Sequence, residues 1–229
     1  SDVGHDGLCW IDDCLFQEVD IATGKLLFQW RASDHVPLSH SYKLRHKDGL
    51  TKKTAWDFFH LNSVEKDDLG NYLISSRHMR AIYYLDPKGN ILWRLGGKHS
   101  DFTDLSEGEA SNFKWQHHAR WRGNNTMSFY DNHAKNVFHP LAEHSRGMLV
   151  QFDFENMTVK LLQTYNHPDN VLSISQGSMQ VIPETGNVMI GWGNTPAYTE
   201  FTADGEVLCN THFGASLFFM ILDFGWVKS

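Results

Sequence analysis

His60 and Asn62 stand two residues apart in the stretch 58–97, and Arg77 follows a pair of serines in the same stretch. Alternation over 58–64 predicts a strand, on which residues two apart point to one face. A second strand over 71–76 ends beside Arg77. An imidazole, an amide and a guanidinium at one sheet edge make an anion site: the guanidinium and amide donate, and the imidazole gives or takes a proton. Farther on, His117 and His118 are adjacent, so strand parity sends them to opposite faces and only one can serve a given site. Register with His60 selects His117. Asn132 and Asn194 close the second strands of later units, as Arg77 does here, and with Ser178 they are the candidate substrate contacts.

These residues need a sheet to hold them. The stretch 58–97 reads as one four-stranded unit, with a turn at 67–70, a third strand over 81–85, the turn Asp86-Pro87-Lys88-Gly89-Asn90 and a last strand over 91–95. Short strands with turn chemistry every 8–12 residues mark an all-β sandwich, barrel or propeller. The segment 13–30 matches the second half of that unit. Further copies start at His117 and Gln176, so unit starts at His60, His117 and Gln176 lie 57 and 59 residues apart. Four strands per repeat is the pattern of a β-propeller blade. The expected blade pieces are 8–30, 56–97, 115–165 and 174–212, within one domain over 1–229. Half a blade plus three does not close a ring, since propellers take about four to eight blades; a partial propeller is expected. The connection 31–53 is polar with room for a short helix, 98–114 is acidic and loop-like, and 133–146 interrupts the third blade.

Composition narrows the function classes. The 229 residues suffice for a sizeable core. Twenty basic against 27 acidic residues give a net charge of −7, and the pI is about 6.0. That argues against nucleic acid or an anionic membrane surface as the main partner. Cys9, Cys14 and Cys209 have no metal-ligand spacing; a disulfide and buried free thiols both stay open. No segment approaches the ~18 apolar residues that span a bilayer. The first residues lack the basic and apolar regions of a signal peptide. Either the protein is intracellular or the sequence begins after its signal; two sequons, at Asn124 and Asn156, fall in predicted turns and tilt the expectation slightly toward a secreted glycoprotein.

The chain resembles the arylsulfotransferase family, in its fungal branch, over most of its length. The matching segments are 16–30 with Arg31-Ala32-Ser33-Asp34-His35, then 56–80, 93–97, 115–121, 129–132 and 175–193. The resemblance implies a six-bladed propeller that moves a sulfuryl group from an aryl sulfate to a phenol through a sulfohistidine, with no nucleotide sulfate donor; no cofactor or metal is expected. The family's nucleophilic histidine falls on His117 of Gln116-His117. Its His-x-Asn pair falls on His60 and Asn62, and its arginine after two serines on Arg77. For an upstream histidine of bacterial members, His5 and His35 are the candidates.

The chemistry is sound on first principles. A neutral imidazole attacks sulfur while a phenolate leaves, and a phenol pKa near 10 makes that leaving group tolerable. Arg77 and Asn62 steady the charge on the equatorial oxygens, and His60 serves as general acid–base. Activity is expected to fall below a pKa of roughly 6–7. Each residue also has a plainer reading: His60 and His117 as structural hydrogen-bonders, Arg77 as an ion-pair partner, Asn132 and Asn194 as turn caps. His40, His46, His99, His139, His144 and His167 read as loop histidines. A metal site from His117, His118 and His133 is disfavoured by strand parity. The functional alternative is a non-catalytic propeller that binds a ligand or protein.

Overall fold

A computed structural model describes residues 9–134 and 144–214. His5, His139, the apolar run 217–222 and most of the 133–146 connection lie outside them. The chain divides into two compact units between residues 102 and 103. Among the described residues the structure is all-β; its helices are three single 3-10 turns, Ala32–Asp34, Leu38–His40 and Lys52–Thr54, in the 31–53 connection and at its edge.

In the first unit β1 (Leu15–Val19) and β2 (Leu26–Arg31) form an antiparallel hairpin. Its turn closes because the Asp20 carboxylate accepts from the Thr23 N–H and hydroxyl at 2.7 and 2.6 Å. β3 (Leu61–Lys66), β4 (Tyr72–Ser76), β5 (Ala81–Leu85) and β6 (Ile91–Gly96) follow as an antiparallel meander in chain order. Asp86 closes the last turn by accepting from the N–H groups of Lys88 and Asn90, both at 2.8 Å. Every residue of β4 is buried, the mark of a strand covered on both faces. Phe16, Trp30, Trp56, Phe58, Phe59, Ile74 and Tyr83 share this unit's core. Trp30 joins hairpin to meander, donating from Nε1 to the Gly89 carbonyl at 3.1 Å.

In the second unit β7 (Thr103–Asp104) is two residues long. β8 (His117–Gly123), β9 (Thr126–Asp131), β10 (Arg146–Asp153) and β11 (Thr158–Asn166) form a meander, and β7 adds to β11 in parallel. β12 (Ser178–Val181), β13 (Val188–Gly191), β14 (Ala197–Phe201) and β15 (Val207–His212) make the last. Tyr130, Tyr165, Met179, Ile190 and Trp192 fill the core here. Gly147 allows close packing, since a Cβ there would come 2.4 Å from Ile190 Cδ1.

Three complete four-stranded meanders and one hairpin thus follow the expected repeat. The boundaries differ where the backbone turns left-handed. β3 begins at Leu61 and not at residue 58, because His60 sits at φ +54°. β13 stops at Gly191, short of Asn194, and Gly193 at φ +59° turns against the Ser175 carbonyl. β7 lies in a connection expected to be loop. The Asp104 carboxylate anchors the residues after it, accepting from Ser106 and Ala110 N–H and from the Ser111 hydroxyl. All three cysteines are free thiols.

Candidate active site

In the first unit the chemistry gathers on Asp57. Buried Trp56, Phe58 and Phe59 pin the segment around it. His60 Nδ1 lies 2.5 Å from Asp57 Oδ2. His78 Nδ1 lies 2.7 Å from the Asp57 main-chain oxygen and 3.6 Å from the same carboxylate oxygen. Carboxylate and carbonyl oxygens only accept, so both imidazoles carry a proton on Nδ1, and Nε2 of neutral His60 is basic. The two rings are 4.8 Å apart. Burial pushes the Asp57 carboxyl upward, but the hydrogen bonds from His60 and His78 win and hold it well below the usual carboxylate range. Burial drives the His78 pKa down despite Asp57, so this ring favours its neutral form.

The backbone, and not strand parity, places His60, Asn62 and Arg77. His60 precedes the strand in the left-handed region, and its carbonyl accepts the Arg77 N–H at 3.0 Å. That bond sets His60 and Arg77 side by side at one end of the β3–β4 pair. Leu61 faces Ser76 and Ser63 faces Ser75, which leaves Asn62 as the extra residue of a β-bulge. The expected shared face of His60 and Asn62 therefore does not follow from alternation. Burial lowers the Arg77 pKa while the Asp57 charge raises it, and a guanidinium stays charged through such shifts. Asp57 and His78 escaped sequence reasoning, although the Asp-x-x-His spacing 57/60 was a visible signal. His35 stacks on Trp30 with ring centroids 5.0 Å apart.

In the second unit His117 opens β8, and its Nδ1 lies 2.7 Å from Asn132 Oδ1. The fully buried Asn132 amide nitrogen donates to the carbonyls of Ser173 and Gln176 at 2.8 and 2.9 Å. With the nitrogen committed to two acceptors, the side-chain oxygen must face His117, and a neutral ring there carries its proton on Nδ1 and its lone pair on Nε2. His118, at φ +56° and buried, instead bonds the main chain of Met179 at 3.0 Å.

The candidate substrate contacts divide. Asn132 is occupied with the 173–176 loop and with His117. Asn194 is exposed, and its Oδ1 accepts from the Ser173 hydroxyl at 2.8 Å and the Ser175 N–H at 3.3 Å. Ser178 is buried at the head of β12, opposite Gly191.

A family model described as Arylsulfotransferase (ASST) matches residues 2–214. The chain belongs to that family. A search of curated proteins found no match. Among solved structures, a protein of unknown function from Bacteroides caccae is similar at 11% identity and TM-score 0.47, over 86% of this chain and 54% of that one. BamB from Moraxella catarrhalis is similar at 11% identity and TM-score 0.38, over 87% and 58%. Virginiamycin B lyase from Staphylococcus aureus is similar at 11% and 0.35, over 68% and 56%. The chain spans little more than half the length of each of these proteins.

Proposed function

We propose that this chain is part of a β-propeller sulfotransferase that passes a sulfuryl group from an aryl sulfate to a phenol through a covalent intermediate on His117. The hydrogen bond from His117 to the fixed Asn132 amide carries the reading, together with membership of the arylsulfotransferase family. His117 Nε2 forms a bond to sulfur, the S–O bond to the aryl group breaks, and the electron pair leaves on the phenolate oxygen. The Nδ1–H bond to Asn132 steadies the positive charge that the ring gains. An acceptor phenol then gives up its proton and takes the sulfuryl group, restoring the neutral imidazole. His60, Arg77 and Asn62 carry the roles that their match to the family's motif gives them: proton transfer for His60, oxygen-binding donors for the other two. The Asp57 carboxylate suits His60 to its role by holding the proton on Nδ1 and orienting the ring.

The turn sequons support passage through the secretory pathway, since Asn124 and Asn156 are both exposed.

Incubation with an aryl sulfate and mass spectrometry of the peptide carrying residues 117 and 118 test the reading. A sulfuryl adduct lost in His117→Ala and kept in His118→Ala is expected, with ping-pong kinetics. No adduct and no turnover would leave the non-catalytic binding module instead.

A further inference from the structure

A second group of side chains in the 103–214 unit belongs to no part of the proposed reaction. β11 ends at Asn166, and His167-Pro168-Asp169-Asn170 turns the chain, with Asn170 at φ +51° and its N–H on the His167 carbonyl at 2.9 Å. The turn folds Asp169 back on His167: the Asp169 N–H donates to His167 Nδ1 at 3.0 Å, and Asp169 Oδ2 stands 3.8 Å from that nitrogen. His212, the last residue of β15, brings Nε2 to 3.6 Å from the same carboxylate oxygen. One ligand atom from each of the three residues falls within 4.8 Å of the other two.

The proton positions make this an unusual gathering. Trp192 Nε1 donates to the Thr199 hydroxyl at 2.8 Å, so that hydroxyl donates its own proton to Asn210 Oδ1 at 2.7 Å. The Asn210 amide is thereby oriented, and its nitrogen donates to His212 Nε2 at 3.3 Å. In the neutral rings, His212 Nε2 and His167 Nδ1 are therefore both acceptors, each with its one lone pair on an N–H, from Asn210 and from Asp169, and both lie near a carboxylate oxygen. Neither neutral ring nitrogen has a proton to offer that oxygen, and a cation entering among the three atoms takes over the two lone pairs from the Asp169 N–H and the Asn210 amide. The His167 side chain is fully buried, and its Nε2 has no hydrogen-bond partner among the described residues. Trp192 packs edge-on against that ring at 5.0 Å, so one tryptophan supports both histidines.

We propose that His167, Asp169 and His212 bind a divalent transition-metal ion of the zinc class, with open coordination positions toward solvent. Two imidazoles and one carboxylate are the donor set that zinc and its neighbours take with three protein ligands. Bonds of about 2.0 Å place tetrahedral ligand atoms about 3.3 Å apart. The 3.6 and 3.8 Å to Asp169 need a closure of tenths of an ångström, and the two ring nitrogens, within 4.8 Å of each other, must also draw together. Asp169 and His212 can supply it, since their side chains are 69% and 50% exposed while His167 is held in the core. The Trp192–Thr199–Asn210 relay keeps His212 Nε2 unprotonated, and a bound ion takes the place of the Asn210 amide on that nitrogen.

Untagged full-chain protein, freed of metal with a chelator and titrated with cobalt(II), tests this. Ligand-field absorption saturating at one cobalt per chain and displaced by zinc is expected. Asp169→Asn and His212→Gln change exposed positions, and each is expected to weaken cobalt binding at least ~10-fold while leaving the apo melting temperature unchanged. His60→Gln alters the separate Asp57–His60–His78 cluster and is expected to leave cobalt binding intact. No cobalt spectrum, or binding undiminished in both D169N and H212Q, overturns the proposal. Binding abolished by H60Q and kept in D169N and H212Q overturns it equally.

Discussion

His117 Nδ1 lies 2.7 Å from the side-chain oxygen of Asn132, whose nitrogen is held by the Ser173 and Gln176 carbonyls. The amide cannot reverse without setting its oxygen against two others, so it dictates which imidazole nitrogen is basic. Replacing Asn132 by Leu is expected to lower kcat for aryl sulfate on the order of 10²-fold with little change in KM, because the ring loses its orienting acceptor. Asn132→Asp sets a carboxylate against both carbonyls and is expected to cost roughly 1–3 kcal/mol of stability as well. Kinetics beside thermal melts separate the two effects; a Leu variant with unchanged kcat would remove Asn132 from the mechanism.

The acid side of the stability profile follows from groups whose native pKa values are lowered. Burial depresses His78 and His40, so the unfolded chain takes up protons near pH 6.5 that the folded chain refuses. Stability is therefore expected to drop as pH falls below about 6.5. Asp57, held well below its ordinary value, adds stability above about pH 4 that disappears under further acidification. Melting temperatures measured from pH 8 to pH 3 should show both descents, and a flat profile between pH 7 and 5 would contradict the first.

Asp57 Oδ2 accepts the hydrogen bond of His60 Nδ1, the two atoms 2.5 Å apart. Asp57→Asn offers an amide in place of the carboxylate and is expected to reduce transfer about 10²-fold. The loss should fall mainly on poor phenolate leaving groups, which need protonation most. Equal loss across leaving groups would make Asp57 a structural residue only.

Gly177 is at φ +110°, and a Cβ there would stand 2.3 Å from the Tyr130 ring. Gly177→Ala combines backbone strain with overpacking, and a loss of roughly 3 kcal/mol is expected. Gly24, at φ +67°, has no atom within 4 Å of the place a Cβ would take, and its alanine variant should lose only about 1–2 kcal/mol. Denaturant melts of the two variants compare strain with and without a clash.

Trp30 is 1% exposed and bonded to Gly89, so Trp30→Ala should cost about 3–5 kcal/mol and loosen the hairpin from the meander. Protection of the Phe16–Phe28 region from hydrogen exchange reports that loosening; unchanged protection would show the hairpin held by other contacts.

Strand alternation and Asp-Gly turn chemistry act over a few residues, so the sequence by itself determined the repeat, most strand positions and the turns closed by Asp20 and Asp86. Family membership was legible too, in matching segments spread over most of the chain. Parity reasoning failed at His60 and Asn62, because a left-handed residue and a bulge break the alternation on which it rests. Only the tertiary structure decided that Asn132 turns its oxygen to His117, that Asp57 holds His78 as well as His60, and that His167 meets His212. Each of these depends on chain segments separated in sequence, and hydrogen-bond direction is settled by which carbonyls and hydroxyls the fold brings within 3 Å or so of a side chain.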